Sequence, residues 1–234
     1  MINHRFIAHY ALPRSGSTYV EVALREYFAQ YGGYRALSEY FNASLPVSVV
    51  DGEPVVELKN WTRHQLEKDQ LRAIKDQRIE WLQRSRGRYY FKALGHQLTH
   101  EGFHTVLKDC EVILSYRQDE WAQLLSFIIS FQAGRYYDEE RVVAEKKTFV
   151  HFISERRMYQ RIKMFYSPLL EICFERFLQE GGRYMIELGL DQPFDWDKVI
   201  PPLKQSRTSK EELIANVDEV RQWFEEAGLE LKRS

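Results

Sequence analysis

The chain has 234 residues, of which 44% are hydrophobic and 29% charged, and its formal net charge is −1. That length and apolar content suit a single domain with a real core, residues 1–234 taken together. The near-zero charge argues against general nucleic-acid binding, which needs a basic surface, and leaves room for a local basic cluster around one small polyanion. No apolar run reaches the roughly 18 residues of a membrane span, so no stable membrane anchor is expected. The N-terminal MINHRFIAHYALPR is too short and polar for a signal peptide. Cys110 and Cys173 lie too far apart for a CxxC site, and free thiols in a reducing, cytoplasmic setting are the expectation.

In chain order, 5–11 (RFIAHYA) reads as a short buried strand, broken by Pro13 to Ser17. The next segment predicts a helix with Val20, Ala23, Leu24, Tyr27, Phe28 and Tyr31 on one face, ended by Gly32-Gly33. A charged helical insert is expected at about 60–87, carrying Leu66, Leu71, Ile74, Ile79 and Leu82. Strands follow at 89–94 (YYFKAL) and 111–116 (EVILSY); 169–174 (LLEICF), behind Pro168, reads as either strand or helix. Helices are expected at 97–107, 120–133 and 138–166, the last with Phe149, Phe152, Ile153, Tyr159, Ile162, Phe165 and Tyr166 as its apolar positions. A C-terminal helix at 209–227 would start from Thr208 or Ser209, with Glu211 and Glu212 in its first turn. Strands alternating with helices imply an α/β fold, a parallel sheet covered on both faces.

The segment Pro13-Arg14-Ser15-Gly16-Ser17-Thr18 sits where the first strand hands over to the first helix. At such junctions backbone N–H groups and a helix N-terminus converge on an anion. Gly16 allows close backbone approach; Ser15, Ser17 and Thr18 add hydroxyls, and Arg14 adds a forked cation. No Lys precedes Ser17, so the kinase-type GxxxxGK[ST] loop is absent, which weakens an ATPase or kinase reading. A small-residue turn that only caps a helix is the plain alternative. A second junction ends EVILSY at Arg117, and the helix behind it brings Gln123 and Ser126 to the same edge. Two such sites together suggest a ligand with two separate anionic ends.

These segments resemble the sulfotransferases that use 3′-phosphoadenosine-5′-phosphosulfate (PAPS), most closely the bacterial trehalose sulfotransferase type. ALPRSGSTYVEVAL is similar to that family's 5′-phosphosulfate loop, and Arg117, Asp119, Gln123 and Ser126 keep the spacing of its 3′-phosphate motif. Gln118 stands where the motif has a second basic residue. GYRALSEYF resembles the segment that carries a catalytic glutamate, here Glu39, and LLEICFERF resembles a strand ending in a YEDL-like corner with Phe174 in place of Tyr. The likeness covers roughly residues 5–41 and 88–178.

The resemblance implies a P-loop-like central sheet, PAPS as donor co-substrate and no metal. The acceptor would be a small-molecule, carbohydrate or lipid hydroxyl. Arg14, Ser15, Gly16, Ser17 and Thr18 would hold the 5′ end, and Arg117 with Ser126 the 3′-phosphate. Lys204, Arg207 and Lys210 would close over the nucleotide from a basic C-terminal loop. Arg14 and the loop N–H groups would stabilise charge developing on the leaving phosphate oxygen, with Lys92 a candidate to assist there; Glu39 and His96 compete for the role of general base. His96, His100 and His104 recur every four residues, but no HExxH order accompanies them, and a plain helix face is the expectation. Phe127 to Phe131 and Tyr136-Tyr137 line an acceptor pocket or pack in the core. A kinase or nucleotide hydrolase, and a non-catalytic nucleotide-binding protein of the same fold, remain the alternatives. Oligomeric state is not readable from the residues.

Overall fold

The computed structural model describes residues 4–42, 45, 47–50, 53–56, 67–97, 100–133, 141–199 and 209–229. Its strands are β1 (Phe6–Ala11), β2 (Arg35–Ala36), β3 (Val47–Val50), β4 (Glu53–Val56), β5 (Tyr89–Leu94), β6 (Cys110–Tyr116) and β7 (Leu170–Cys173). Its helices are α1 (Ser17–Gly32), α2 (Lys68–Arg84), α3 (His100–Leu107), α4 (Glu120–Ala133), α5 (Lys146–Tyr166), α6 (Phe174–Glu180), α7 (Gly182–Glu187), α8 (Trp196–Val199) and α9 (Val217–Glu226). Five strands form one parallel sheet in the order β2-β5-β1-β6-β7, while β3 and β4 pair antiparallel on their own.

Strand alternation divides the core between the two faces of this sheet. Phe6, Ala8, Tyr10, Phe91, Ala93 and Leu114 pack on one side with Leu82 of α2, Val106 of α3 and Tyr159 and Ile162 of α5. Ile7, Tyr90, Ile113 and Ile172 pack on the other with Val20, Leu24 and Phe28 of α1 and with residues of α6, α7 and α8. The fold is α/β with helices on both faces, as the alternating pattern predicts. Because β1 is followed by a connection toward β2 and β6 lies on its other flank, the crevice between the C-terminal ends of β1 and β6 is a switch point, where open α/β sheets bind ligands.

Several boundaries follow the sequence reading closely. β5 and α4 occupy the expected residues, and α1 ends at Gly33, which adopts φ 62 and returns its N–H to the carbonyl of Ala29. The segment after Pro168 resolves into both readings, a four-residue strand running directly into α6. Other elements differ. The expected helix over 138–166 begins only at Lys146, because Val142 pairs with Ile214 in a parallel bridge and Asn216 brackets the backbone of Ala144. For the same reason the C-terminal helix begins at Val217 and not at Ser209: Ile214 is fully buried, and Asn216 precedes α9, while Thr208 lies outside the described residues. Phe165 is exposed rather than packed, while Tyr31 is partly exposed with its ring against Tyr27.

Lys92, His9 and Ser115 are buried polar side chains within this sheet. His9 is fully buried, with Nδ1 2.8 Å from the Tyr90 hydroxyl and Nε2 2.9 Å from Ser115 Oγ. Burial, and then the nearby Lys92 charge, lower its pKa to about 3. The unfolded chain therefore binds a proton at His9 below about pH 6.5 that the folded chain refuses. Stability is expected to fall as pH drops from about 6.5 toward 3, with a slope of up to about 1.4 kcal/mol per pH unit from this residue. Urea unfolding of wild type and His9→Gln across that range checks it: the variant should show a flatter acid limb.

Candidate functional site

The loop between β1 and α1 carries two left-handed residues, Arg14 at φ 63 and Gly16 at φ 75. A non-glycine residue in that region is uncommon, and alternating conformations of this kind turn successive N–H groups toward a common anion. No side chain caps the first turn of α1, whose N-cap is Gly16. The Ser15 hydroxyl is fully buried and has no hydrogen-bond partner among the described residues. Gly16 is required twice over, since a Cβ there would lie 2.2 Å from carbons of the Phe174 ring.

The second junction adjoins the first. Arg14 Nε donates to Ser126 Oγ at 3.1 Å, and the Gln123 amide donates to the Pro13 carbonyl at 2.9 Å, so α4 is tied to the loop at two points. Arg117 pairs with Glu175 at 3.4 Å and lies over the Phe174 ring, 5.9 Å from its centroid. Glu175 also accepts the N–H groups of Gln118 and Asp119. Burial would raise its pKa, but those backbone donors and Arg117 lower it overall. Asp119 caps α4 by accepting the Ala122 N–H at 2.8 Å. Lys210, half-buried just before α9, has its pKa lowered to about 8 by burial and by the charges of Arg117 and Arg14, with Asp119 opposing. Three cations from three parts of the chain thus share one electrostatic neighbourhood.

On the other side of the loop Lys92 is 3% exposed and contacts three oxygens: Glu21 Oε2 at 2.8 Å, Glu39 Oε1 at 3.0 Å and Thr18 Oγ1 at 3.3 Å. Burial disfavours its charge, but Glu21 and Glu39 outweigh that and raise its pKa. Glu39 is more accessible, with its second oxygen taking hydrogen bonds from Asn42 at 3.0 Å and Gln97 at 2.8 Å. Burial alone would raise the Glu39 pKa; Lys92 and these donors bring it down instead. The segment that carries Glu39 is fixed from behind by Arg78 of α2, whose guanidinium donates to the carbonyls of Tyr40, Asn42 and Leu45 at 2.5, 2.8 and 2.7 Å.

Of the residues singled out from sequence, the structure brings Lys92, Glu39 and Thr18 together and joins Arg14 to Ser126 beside Arg117. Arg14 reaches toward the second junction rather than toward Lys92. The side chain of His96 and the whole of Lys204 and Arg207 lie outside the described residues, as do Tyr136 and Tyr137. His104 Nδ1 meets the Tyr166 hydroxyl at 2.8 Å, and among the described residues no group of three or more His, Cys, Asp or Glu is placed to hold a metal. Phe127 is buried, whereas Phe131 is 49% exposed and His151 packs edge-on against both rings. Glu21, Glu175 and Arg78 escape a motif-based reading. Glu21 had a signal all the same: it is a carboxylate on the buried face of α1, one turn after Ser17. No family model matches the chain, and no curated protein sequence matches it.

Gly16→Ala combines a left-handed alanine with a clash against Phe174. The expected loss is about 2–5 kcal/mol of stability, from about 1–2 for the backbone and 1–3 for overpacking. Adding Phe174→Leu should recover the packing part, so the two changes should be non-additive in urea unfolding.

Proposed function

We propose that the chain is a sulfotransferase of the P-loop-like sulfotransferase fold, moving the sulfuryl group of PAPS onto an acceptor hydroxyl. The observation that carries this reading is the adjacency of two unlike anion sites at one sheet edge. One is the uncapped N-terminus of α1 with Ser15 and Lys92; the other is the cluster of Arg117, Ser126, Arg14 and Lys210. A nucleotide with a phosphosulfate at one end of its ribose and a phosphate at the other matches that pair. The free thiols of Cys110 and Cys173 suit a reducing, cytoplasmic compartment. No helix among the described residues is long and apolar enough to cross a membrane.

In this reading Glu39 takes the proton of the acceptor hydroxyl as its oxygen attacks sulfur. The new S–O bond forms as the bond from sulfur to the bridging phosphate oxygen breaks, and 3′,5′-adenosine bisphosphate leaves with the added negative charge. Lys92 and the loop N–H groups face that oxygen, where preorganised donors lower the barrier most. Glu39 is the base preferred here: its side chain is 22% exposed beside Lys92, and Gln97 and Asn42 fix its orientation by donating to one oxygen. A small-molecule, carbohydrate or lipid hydroxyl is the acceptor class.

Thermal stabilisation by 3′,5′-adenosine bisphosphate, without stabilisation by ATP and Mg²⁺, is the expected result; the reverse would favour a kinase. Arg117→Ala and Arg14→Ala should each weaken bisphosphate binding by about 10- to 100-fold, the worth of charge-assisted hydrogen bonds. Glu39→Gln should bind it normally and lose most turnover of labelled PAPS. Unchanged affinity in both arginine variants would overturn the site.

Lys210 adds a pH signature. Its charge is lost in the free protein as pH rises through about 8, so bisphosphate affinity should hold near pH 7 and fall above pH 8. Lys210→Met should bind more weakly at pH 7 and show a flatter profile, read by calorimetric titration.

A further inference from the structure

We propose that Glu21 is a positioning residue: it anchors Lys92 at the mouth of the 13–18 loop, leaving Glu39 as the carboxylate that releases the ammonium when the donor arrives. This rests on the sulfotransferase reading above. An ammonium has three N–H donors, and Lys92 has three oxygen partners, so an incoming anion is bonded only if one of them gives way. The three are not equivalent. Glu21 projects from the buried face of α1, its side chain is 7% exposed, and its contact is the shortest at 2.8 Å. Glu39 sits on a loop at 22% exposure, and its other oxygen already has Asn42 and Gln97 as partners. Thr18 is neutral and most distant. Lys92 therefore stays with Glu21 and can part from Glu39.

Chemical consequences follow from that asymmetry. While Lys92 is paired with Glu39, it makes the carboxylate a poor base. Once the phosphosulfate draws the ammonium toward the loop, Glu39 loses its counter-charge and becomes more basic. Base activation is then coupled to donor binding, and Glu21 prevents the ammonium from simply collapsing onto Glu39. The other titratable groups facing this cluster do not supply the effect. His9 on β1 is held neutral by burial and by Lys92, and Tyr90 on β5 is held protonated by burial and Glu21, with Arg25 opposing.

The test is Glu21→Gln, with Glu21→Asp as the variant that carries it if the glutamine form does not fold. Three readouts are taken: affinity for 3′,5′-adenosine bisphosphate, the pH profile of kcat, and the Lys92 titration followed by its ¹³Cε resonance. Glu21→Gln is expected to bind the bisphosphate at least as tightly as wild type, since one negative charge is gone. Its kcat should fall about tenfold or more, the acid limb of the profile should move to lower pH, and Lys92 should titrate lower than in wild type. Glu21→Asp should move each quantity in the same direction and less far. A wild-type pH profile, an unmoved Lys92 titration, or affinity and kcat falling together with Tm would each overturn the proposal. Failure of the underlying reading looks different. The wild-type protein itself would neither bind the bisphosphate nor transfer sulfuryl, while the Lys92 titration would still report whether Glu21 anchors it.

Discussion

A lysine ammonium buried in a parallel sheet is untenable without counter-charge, and the site is organised around meeting that demand. Removing one partner of such a pair strands a charge at a cost of several kcal/mol, whereas two carboxylates hold the ammonium firmly. Lys92 takes one carboxylate from α1 and one from the loop before the β3-β4 hairpin. The first helix, strand β5 and the Glu39 segment are thereby locked into one arrangement. Arg78 then fixes the far side of that segment through three carbonyls. His9 and Tyr90 lie near this cluster; burial first, then Lys92, keeps His9 neutral, and burial first, then Glu21, keeps Tyr90 protonated.

The cation cluster opposes the usual behaviour of like charges. Arg14, Arg117 and Lys210 are gathered at this edge, and the lowered Lys210 pKa registers its burial first and then the repulsion of the two arginines. Gathering like charges is costly, and a polyanion bound there, as proposed, would relieve the cost. Phe174 holds the geometry from below, with its ring against Gly16 and under Arg117. One aromatic side chain thus supports both junctions.

Much of this was legible in the sequence because local rules suffice for it. RFIAHYA, YYFKAL and EVILSY are apolar runs of strand length, and PRSGST, rich in small residues, marks the turn from a strand into a helix. Arg117 and Ser126 follow from strand-end and helical spacing. Interactions between distant segments were not legible. Val142 meets Ile214 across 72 residues, and this pairing both delays α5 and displaces the start of α9, overriding the good capping residues Ser209, Glu211 and Glu212. β2 is two residues long and exists only because β5 offers a free edge to Arg35 and Ala36. Glu21 was masked by a different effect: on a helix rich in apolar residues a single glutamate passes as surface until the lysine opposite is known.

The pairing of Val142 with Ile214 has a mechanical meaning for the end of the chain. Residues 213–229 contribute Ile214, Val220, Trp223 and Phe224 to the same apolar cluster as Leu124 and Ile128 of α4 and Phe152 of α5. The terminal segment is consequently not an appendage that swings over the cleft on a hinge. It is riveted to the helix that bears Ser126, and any displacement of Lys210 must be transmitted through, or absorbed by, the few residues that precede Leu213.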